Sequence, residues 1–302
     1  MQGELHDSLE GEGNLRKMAV KLDDSGRVQY QFSTADILDN QPQIQLNDRV
    51  GQQIHLEFTG AIHCTVSGSR IRKTYMDGMG FKAFQESPLG VPSILRPELS
   101  RIHEGVALRD HAWEMEHHMQ PHIVYLSYTS GIKVGVTRAT QMPQRWIDQG
   151  AAAAVVLCRT PYRALAGQIE VDLKSEFSDR TLWRSMLTLG HRTVPSTDLA
   201  QNADHKTEID KALLEAKEEA IEALDPAYES FIADLDADDH VTHFKYPHTH
   251  WPEKVKSVRL DKQPIFSGRL AAVKGQYLML ESGEVFNVRS HAGYRTRWRF
   301  DG

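Results

Sequence analysis

Between residues 122 and 177 the spacing of apolar positions changes three times, and each change predicts a different element. Residues 123–126 and 132–136 are short apolar runs separated by small polar residues and Gly131, the signature of a β-hairpin. Pro143 then stands at a first-turn helix position, where its missing N–H costs nothing. Residues 151–157 are continuously apolar but too short for most helices, which predicts a buried central strand. A second helix follows, with Ala164, Ile169, Leu173 and Phe177 near one face and Arg163 and Glu170 beside it. The predicted order is hairpin, helix, strand, helix.

The two ends of the chain alternate with period two instead. Turn signals at 23–26 and 47–51 separate VQYQF, IQL and IHLEF, which read as short antiparallel strands. SVRL, IFSGRLAAV, YLML and VFNVR near the C-terminus have the same character. Strands 14–61 and 252–302 are expected to form one β-barrel or sandwich module, with two independent β-units as the alternative. Residues 1–13 are polar and glycine-rich, so they are expected to be mobile, and the closing RWRF reads as a tail.

Three stretches lie between. Residues 62–121 carry many Gly, Pro and Ser and little periodicity, so a loop-rich region is expected, anchored by Ile71, Tyr75, Phe81, Phe84 and Ile94. At 178–190 a helix is expected, capped by Ser178 or Asp179, with Leu182, Met186 and Leu189 inward. At 206–224, Ile209, Leu213, Ala216, Ala220 and Leu224 fall at helical spacing with Glu and Lys opposite. This last helix, within an acidic segment 201–240, is a packed brace.

Composition narrows the class. With 302 residues and 40% apolar content the chain can bury a core and make about two domains. No run approaches the ~20 apolar residues of a membrane helix, and the first residues hold no basic or apolar region, so neither a membrane span nor a signal peptide is expected. Two cysteines, Cys64 and Cys158, make no disulfide framework, and Cys158 reads as a core thiol. A cytoplasmic protein is expected.

The net charge of −6 argues against a generic nucleic-acid binder. Its distribution qualifies that. Residues 203–240 hold thirteen acids against three Lys or Arg, whereas 122–200 hold nine bases against six acids and 241–302 eleven against five. The excess of acid belongs to one helical segment and the N-terminus.

The stretch 122–200 resembles the GIY-YIG endonuclease core. VYL at 124–126 and KVG at 133–135 stand where that family has its two strand motifs, QRW at 144–146 where a helix carries its arginine, and AGQIE at 166–170 where a helix carries its glutamate. Lys133 replaces the second tyrosine. A second resemblance covers most of the chain: QPHIVYL, KVGVTR, RWIDQGA and VKGQYLML followed by GEVFNVR are similar to the uncharacterised domain of unknown function 2797. In that family residues 62–121 correspond to a zinc-ribbon with paired cysteines. Here Cys64 remains, while Ser67, Gly80, Ala83, Gly90, Ser93 and Ser100 stand at or near the other positions, so zinc is not expected.

The resemblance implies an α+β fold with a GIY-YIG-like core, a loop-rich degenerate zinc-ribbon-like insert and a terminal β-module. It implies that Tyr125 and Arg145 hold an attacked phosphate and assist proton transfer, that Lys133 joins them, and that Glu170 binds a divalent ion, Mg2+ or Mn2+. Phosphodiester hydrolysis builds negative charge on oxygen, so a cation, a metal and a proton acceptor must converge. Arg138, Arg159, Arg163 and Lys274 are further candidate contacts to DNA or RNA phosphates. Taken singly, each of these side chains also reads as an ordinary surface group: Lys133 guarding a strand edge, Glu170 paired with Arg163. Three classes therefore stay open: a metal-dependent phosphodiesterase, a non-catalytic nucleic-acid binder, and a protein-interaction scaffold. No Walker-type phosphate loop, GxSxG elbow or HExxH occurs.

Overall fold

Tyr294, Thr296, Trp298 and Phe300 alternate with Arg295, Arg297 and Arg299, which puts four side chains on one face of a strand and three guanidiniums on the other. In the structure, a computed structural model that describes residues 8–36, 39–40, 44–178, 180–188, 199–232 and 239–301, this strand lies inside a ten-stranded sheet. It pairs antiparallel with Leu9–Leu15 on one side and Gln53–His63 on the other. Phe300 is fully buried and Trp298 nearly so. Two expectations are corrected: RWRF is no tail, and the chain is a strand from Leu9 onward. Gly11, one of the glycines read as mobility, has a steric purpose. Gly11 sits opposite Trp298, and a Cβ there would stand 2.4 Å from the indole.

The chain divides into two compact units, Met1–Glu86 with Lys245–Gly302, and Ser87–Phe244, so the loop-rich stretch 62–121 is shared between them. In the first unit the large sheet runs from Lys256–Val258 at one edge to Asp39–Asn40 at the other and does not close. Of the barrel or sandwich expected, no closed barrel forms among the described residues: the large sheet is open and built from strands of both chain ends. A three-stranded sheet, Ala19–Leu22, Val28–Phe32 and Ile44–Gln45, belongs to the same unit. Its Phe32 ring meets Phe300 edge-on at 5.6 Å and Trp298 at 6.3 Å, a geometry aromatic quadrupoles favour. At the predicted turn, Asp23 accepts from the Ser25 hydroxyl and the Arg27 amide, and these bonds hold its carboxyl down at about 2.

Residues 62–86 of this unit hold Cys64. Its sulfur accepts from Gly80 N at 3.1 Å and Ser67 N at 3.4 Å. Burial raises the thiol pKa, but these hydrogen bonds outweigh it and bring it down to about 7. The expected aromatic anchors are corrected: Tyr75 stacks on Phe84 and meets Phe81 at a tilt on a half-open surface, Phe81 is 54% exposed, and Ile62, Cys64 and Met79 are among the buried members.

In the second unit the predicted hairpin forms from His122–Tyr128 and Ile132–Arg138. Ala153–Thr160, the predicted central strand, pairs antiparallel with the first hairpin strand, and Thr242–His243 closes the far side. The hairpin's second strand is thus a sheet edge. Alternation sends Val124, Leu126 and Val134 into one core with Ile169 and Leu173 of the helix Arg163–Asp172 and its continuation. Leu199–Ala223 joins the same core through Ile209, Leu213, Ala216 and Ala220, as its periodicity predicts. Burying sixteen such residues together supplies the driving force for this unit, at roughly 1.5–3 kcal/mol per large aliphatic side chain. Lys217 is also buried on this helix and pairs with Asp239 at 2.7 Å.

The helix expected at 178–190 forms as Trp183–Thr188, with Met186 and Leu187 buried. Leu182 is 67% exposed, correcting its expected inward position, and Asp179 and Leu189 lie outside the described residues. Among the described residues no helix is long and apolar enough to cross a membrane.

Candidate functional site

Gly135 explains how a buried tyrosine comes to face a cavity. In the hairpin register Gly135 lies opposite Tyr125 and Lys133 opposite Ser127, so Tyr125 and Lys133 project from the same sheet face. With no side chain at 135, the tyrosine ring extends over the edge strand. A Cβ on Gly135 would stand 2.7 Å from the phenol oxygen. The hydroxyl donates to Gln149 Oε1 at 2.9 Å, and the ring packs edge-on against Trp146, 5.7 Å away. Burial holds the phenol above its ordinary pKa, while the charge and hydrogen bonding of Arg145 act in the opposite direction.

The short helix Gln144–Asp148 presents Trp146 and Ile147 to the core, and Arg145, just before them, turns to the cavity. Helix Arg163–Asp172 approaches from the other side. Its Gly167 admits the 97–99 turn: a Cβ there would stand 2.2 Å from Glu98 N. Arg163 secures the same neighbour, donating from Nε to Ser93 O and from Nη2 to Ile94 O, both at 2.9 Å. Desolvation pushes the Arg163 pKa down to about 10, with Arg138 adding to the effect. Glu170, at the far end of this helix, lies 4.0 Å from Lys174 Nζ.

These groups line one cavity of about 350 Å³ along the edge strand. Tyr125, Lys133, Arg145 and Glu170, read from the sequence as the chemical group, all reach it, together with Arg138 and Arg163. Among the described residues that line it five are cationic, counting Lys174, and Glu170 is the one carboxylate. A chain of net charge −6 thus carries a cavity of strongly positive lining, an arrangement that focuses field on an anion.

Two candidates lie elsewhere. Arg159 is exposed on Ala153–Thr160 and does not line the cavity. Lys274 is corrected outright as a phosphate contact: it is 2% exposed, its ammonium sits 5.3 Å from the Tyr246 ring centre and 5.6 Å from that of Trp251, and burial pulls its pKa down to about 8. The interior position follows from the apolar run Leu270–Val273 that precedes it, buried throughout.

Two further lining residues, Gln149 and Lys174, were not singled out beforehand. Gln149 lies one helical turn after Arg145 and Lys174 one turn after Glu170, so the i, i+4 rule places each pair on one face and could have named them. His118, at the end of helix His111–His118, is buried, with Nδ1 3.0 Å from Ser100 Oγ and no hydrogen-bond partner at Nε2. Burial, then the charges of Arg163, His117 and Arg138, take its pKa down to about 4. His122, which does not line the cavity, is similar: Nδ1 bonds Gln120 O at 2.7 Å, Nε2 has no partner among the described residues, and burial leads its descent to about 4. Among the described residues no three His, Cys, Asp or Glu side chains gather as a metal cluster would require.

Comparison with known proteins gives one result: a family model described as a protein of unknown function, DUF2797, matches residues 51–296. No curated protein and no solved structure matches the chain.

Proposed function

The chain belongs to the DUF2797 family, and from its edge-strand cavity we propose that it binds nucleic acid there and hydrolyses a phosphodiester. The observation that carries this reading is the meeting of Tyr125, Lys133, Arg145 and Glu170 in one cationic concavity, although 45 residues separate the first from the last. The order hairpin, helix, strand, helix supports a GIY-YIG-like core as the scaffold.

Each group has a part that its chemistry allows. Arg145 offers a planar, permanently charged fork to a phosphate. Lys133 adds a point charge that offsets the negative charge of the transition state. Tyr125, its proton retained by burial, turns that one proton from Gln149 Oε1 to a phosphoryl or leaving oxygen when substrate binds. Glu170 fits a Mg2+ or Mn2+ site of the kind completed by one carboxylate, substrate phosphate and water. Such an ion, when bound, polarises a phosphoryl oxygen and acidifies bound water.

Two measurements test the proposal together. Oligonucleotide affinity is expected to fall steeply with salt, because phosphate contacts release counterions. Cleavage of DNA or RNA is expected to depend on Mg2+ or Mn2+ and to vanish in Glu170→Gln while binding persists. Binding that ignores salt would favour a protein-interaction scaffold, and salt-dependent binding without cleavage a non-catalytic binder.

A further inference from the structure

Beside Arg145 and Glu170 the same cavity holds a second group of donors that the proposed hydrolysis does not use: Arg138, Arg163 and His118. They come from three elements, the edge strand, the helix Arg163–Asp172 and the helix His111–His118. Arg163 is pinned through Nε and Nη2 to two backbone carbonyls, so its plane is set before any ligand arrives. Among the described residues no carboxylate lies within salt-bridge distance of Arg138 or Arg163. His118 is 2% exposed, its Nδ1 is fixed by Ser100, and its Nε2 is buried without a partner. A buried, unpaired polar atom carries a desolvation cost, and a group that bonds it on binding removes that cost.

We propose that Arg138, Arg163 and His118 form a second phosphate site, which takes the phosphodiester next to the one held at Arg145. The proposal rests on the nucleic-acid reading of the cavity, and it sets the minimal ligand as a strand with two consecutive phosphates. Two arginines, Arg163 of them preset, suit a phosphate better than a lone lysine would. A neutral imidazole with Ser100 donating to Nδ1 carries its proton on Nε2 and becomes the third donor. An anion at this site also favours the protonated ring. The groups that face His118 are Arg138, Arg163, His117, His122 and Ser100, and Glu116 acts on Arg138.

The test compares thymidine oligomers with one and two phosphates, dTpdT and dTpdTpdT, binding to the full chain without divalent ions. A charge-assisted contact of about 1.5–3 kcal/mol corresponds to roughly a tenfold gain or more for the longer ligand. That gain is expected to disappear in Arg138→Gln and in His118→Asn, each shown to be folded by its unfolding transition, and to survive in Glu170→Gln. The His118 imidazole resonance should also move when inorganic phosphate is added. Equal affinities for the two ligands, or a gain that Arg138→Gln and His118→Asn both leave intact, would overturn the second site. Neither readout involves cleavage, so a protein that binds both phosphates and cuts nothing would refute the hydrolysis and leave this site standing.

Discussion

Gly135 and Tyr125 face each other across the hairpin, and the tyrosine fills the space that a side chain at 135 would occupy. A Gly135→Ala substitution puts its methyl 2.7 Å from the phenol oxygen, so the ring must leave Gln149 and the cavity. Overpacking of this kind costs about 1–3 kcal/mol. We predict a lower urea midpoint for Gly135→Ala and loss of cleavage with it. Tyr125→Phe should be milder in stability, about 1 kcal/mol from the lost hydrogen bond, yet equally damaging to cleavage. Equal stability in Gly135→Ala and wild type would mean the ring does not occupy that space.

His118 and His122 predict acid sensitivity. Burial takes both to about 4 in the folded chain, against about 6.5 when unfolded. Above 6.5 both states hold neutral rings and folding bears no cost. As pH falls from 6.5 toward 4 the unfolded state gains protons first, so stability is lost across that window. The loss is on the order of 3 kcal/mol for each imidazole. Urea unfolding at pH 7 and pH 5 should show a clear drop, smaller in His118→Gln. An identical drop in the two proteins would remove His118 from this account.

The terminal strands predict a long-range dependence. Trp298 on one end of the chain covers Gly11 on the other. Trp298→Ala should cost about 3–5 kcal/mol, as other buried aromatic truncations do. Gly11→Ala should destabilise as well, because the indole has no room to spare. The thermal unfolding midpoints of both variants check this, and unchanged midpoints would contradict the strand pairing.

Lys274 should be irrelevant to nucleic acid. We predict that Lys274→Met leaves oligonucleotide affinity and its salt slope as in wild type. Its effect is on stability instead. Below about 8 the ammonium is charged in both states and its burial cost is fully felt; between 8 and the ordinary lysine value near 10.4 the folded state sheds its proton first. Wild type should therefore gain stability relative to Lys274→Met as pH rises through that interval. A weaker salt slope in Lys274→Met would restore it as a phosphate contact.

What the sequence revealed follows from physics at each place. Period and run length located the hairpin, the strand Ala153–Thr160 and the brace Leu199–Ala223, because their burial is local and repetitive. The alternation Tyr294, Thr296, Trp298, Phe300 carried the same signal, and the intervening arginines disguised it as a tail. Leu9–Leu15 could not be read alone, since what makes it a strand is a partner nearly 300 residues away. The expected anchors at 62–121 failed for a related reason: no period marks which aromatic faces inward, and Phe81 faces out. At the site, resemblance to the GIY-YIG core named Tyr125, Lys133, Arg145 and Glu170. Which arginines shared their cavity could not be read from alternation: the register sets Arg138 opposite His122, off the face of Tyr125 and Lys133, yet Arg138 lines the cavity and Arg159, opposite Ile123, does not.

Cleavage of end-labelled single- and double-stranded DNA and RNA, with and without Mg2+ or Mn2+, tests the central claim most directly. Wild type should cut at least one of these only with the metal. Arg145→Gln should be slower by about a hundredfold or more, and Glu170→Gln should bind without cutting. Cutting by Glu170→Gln at the wild-type rate, or none by wild type with either ion on any substrate, would contradict it.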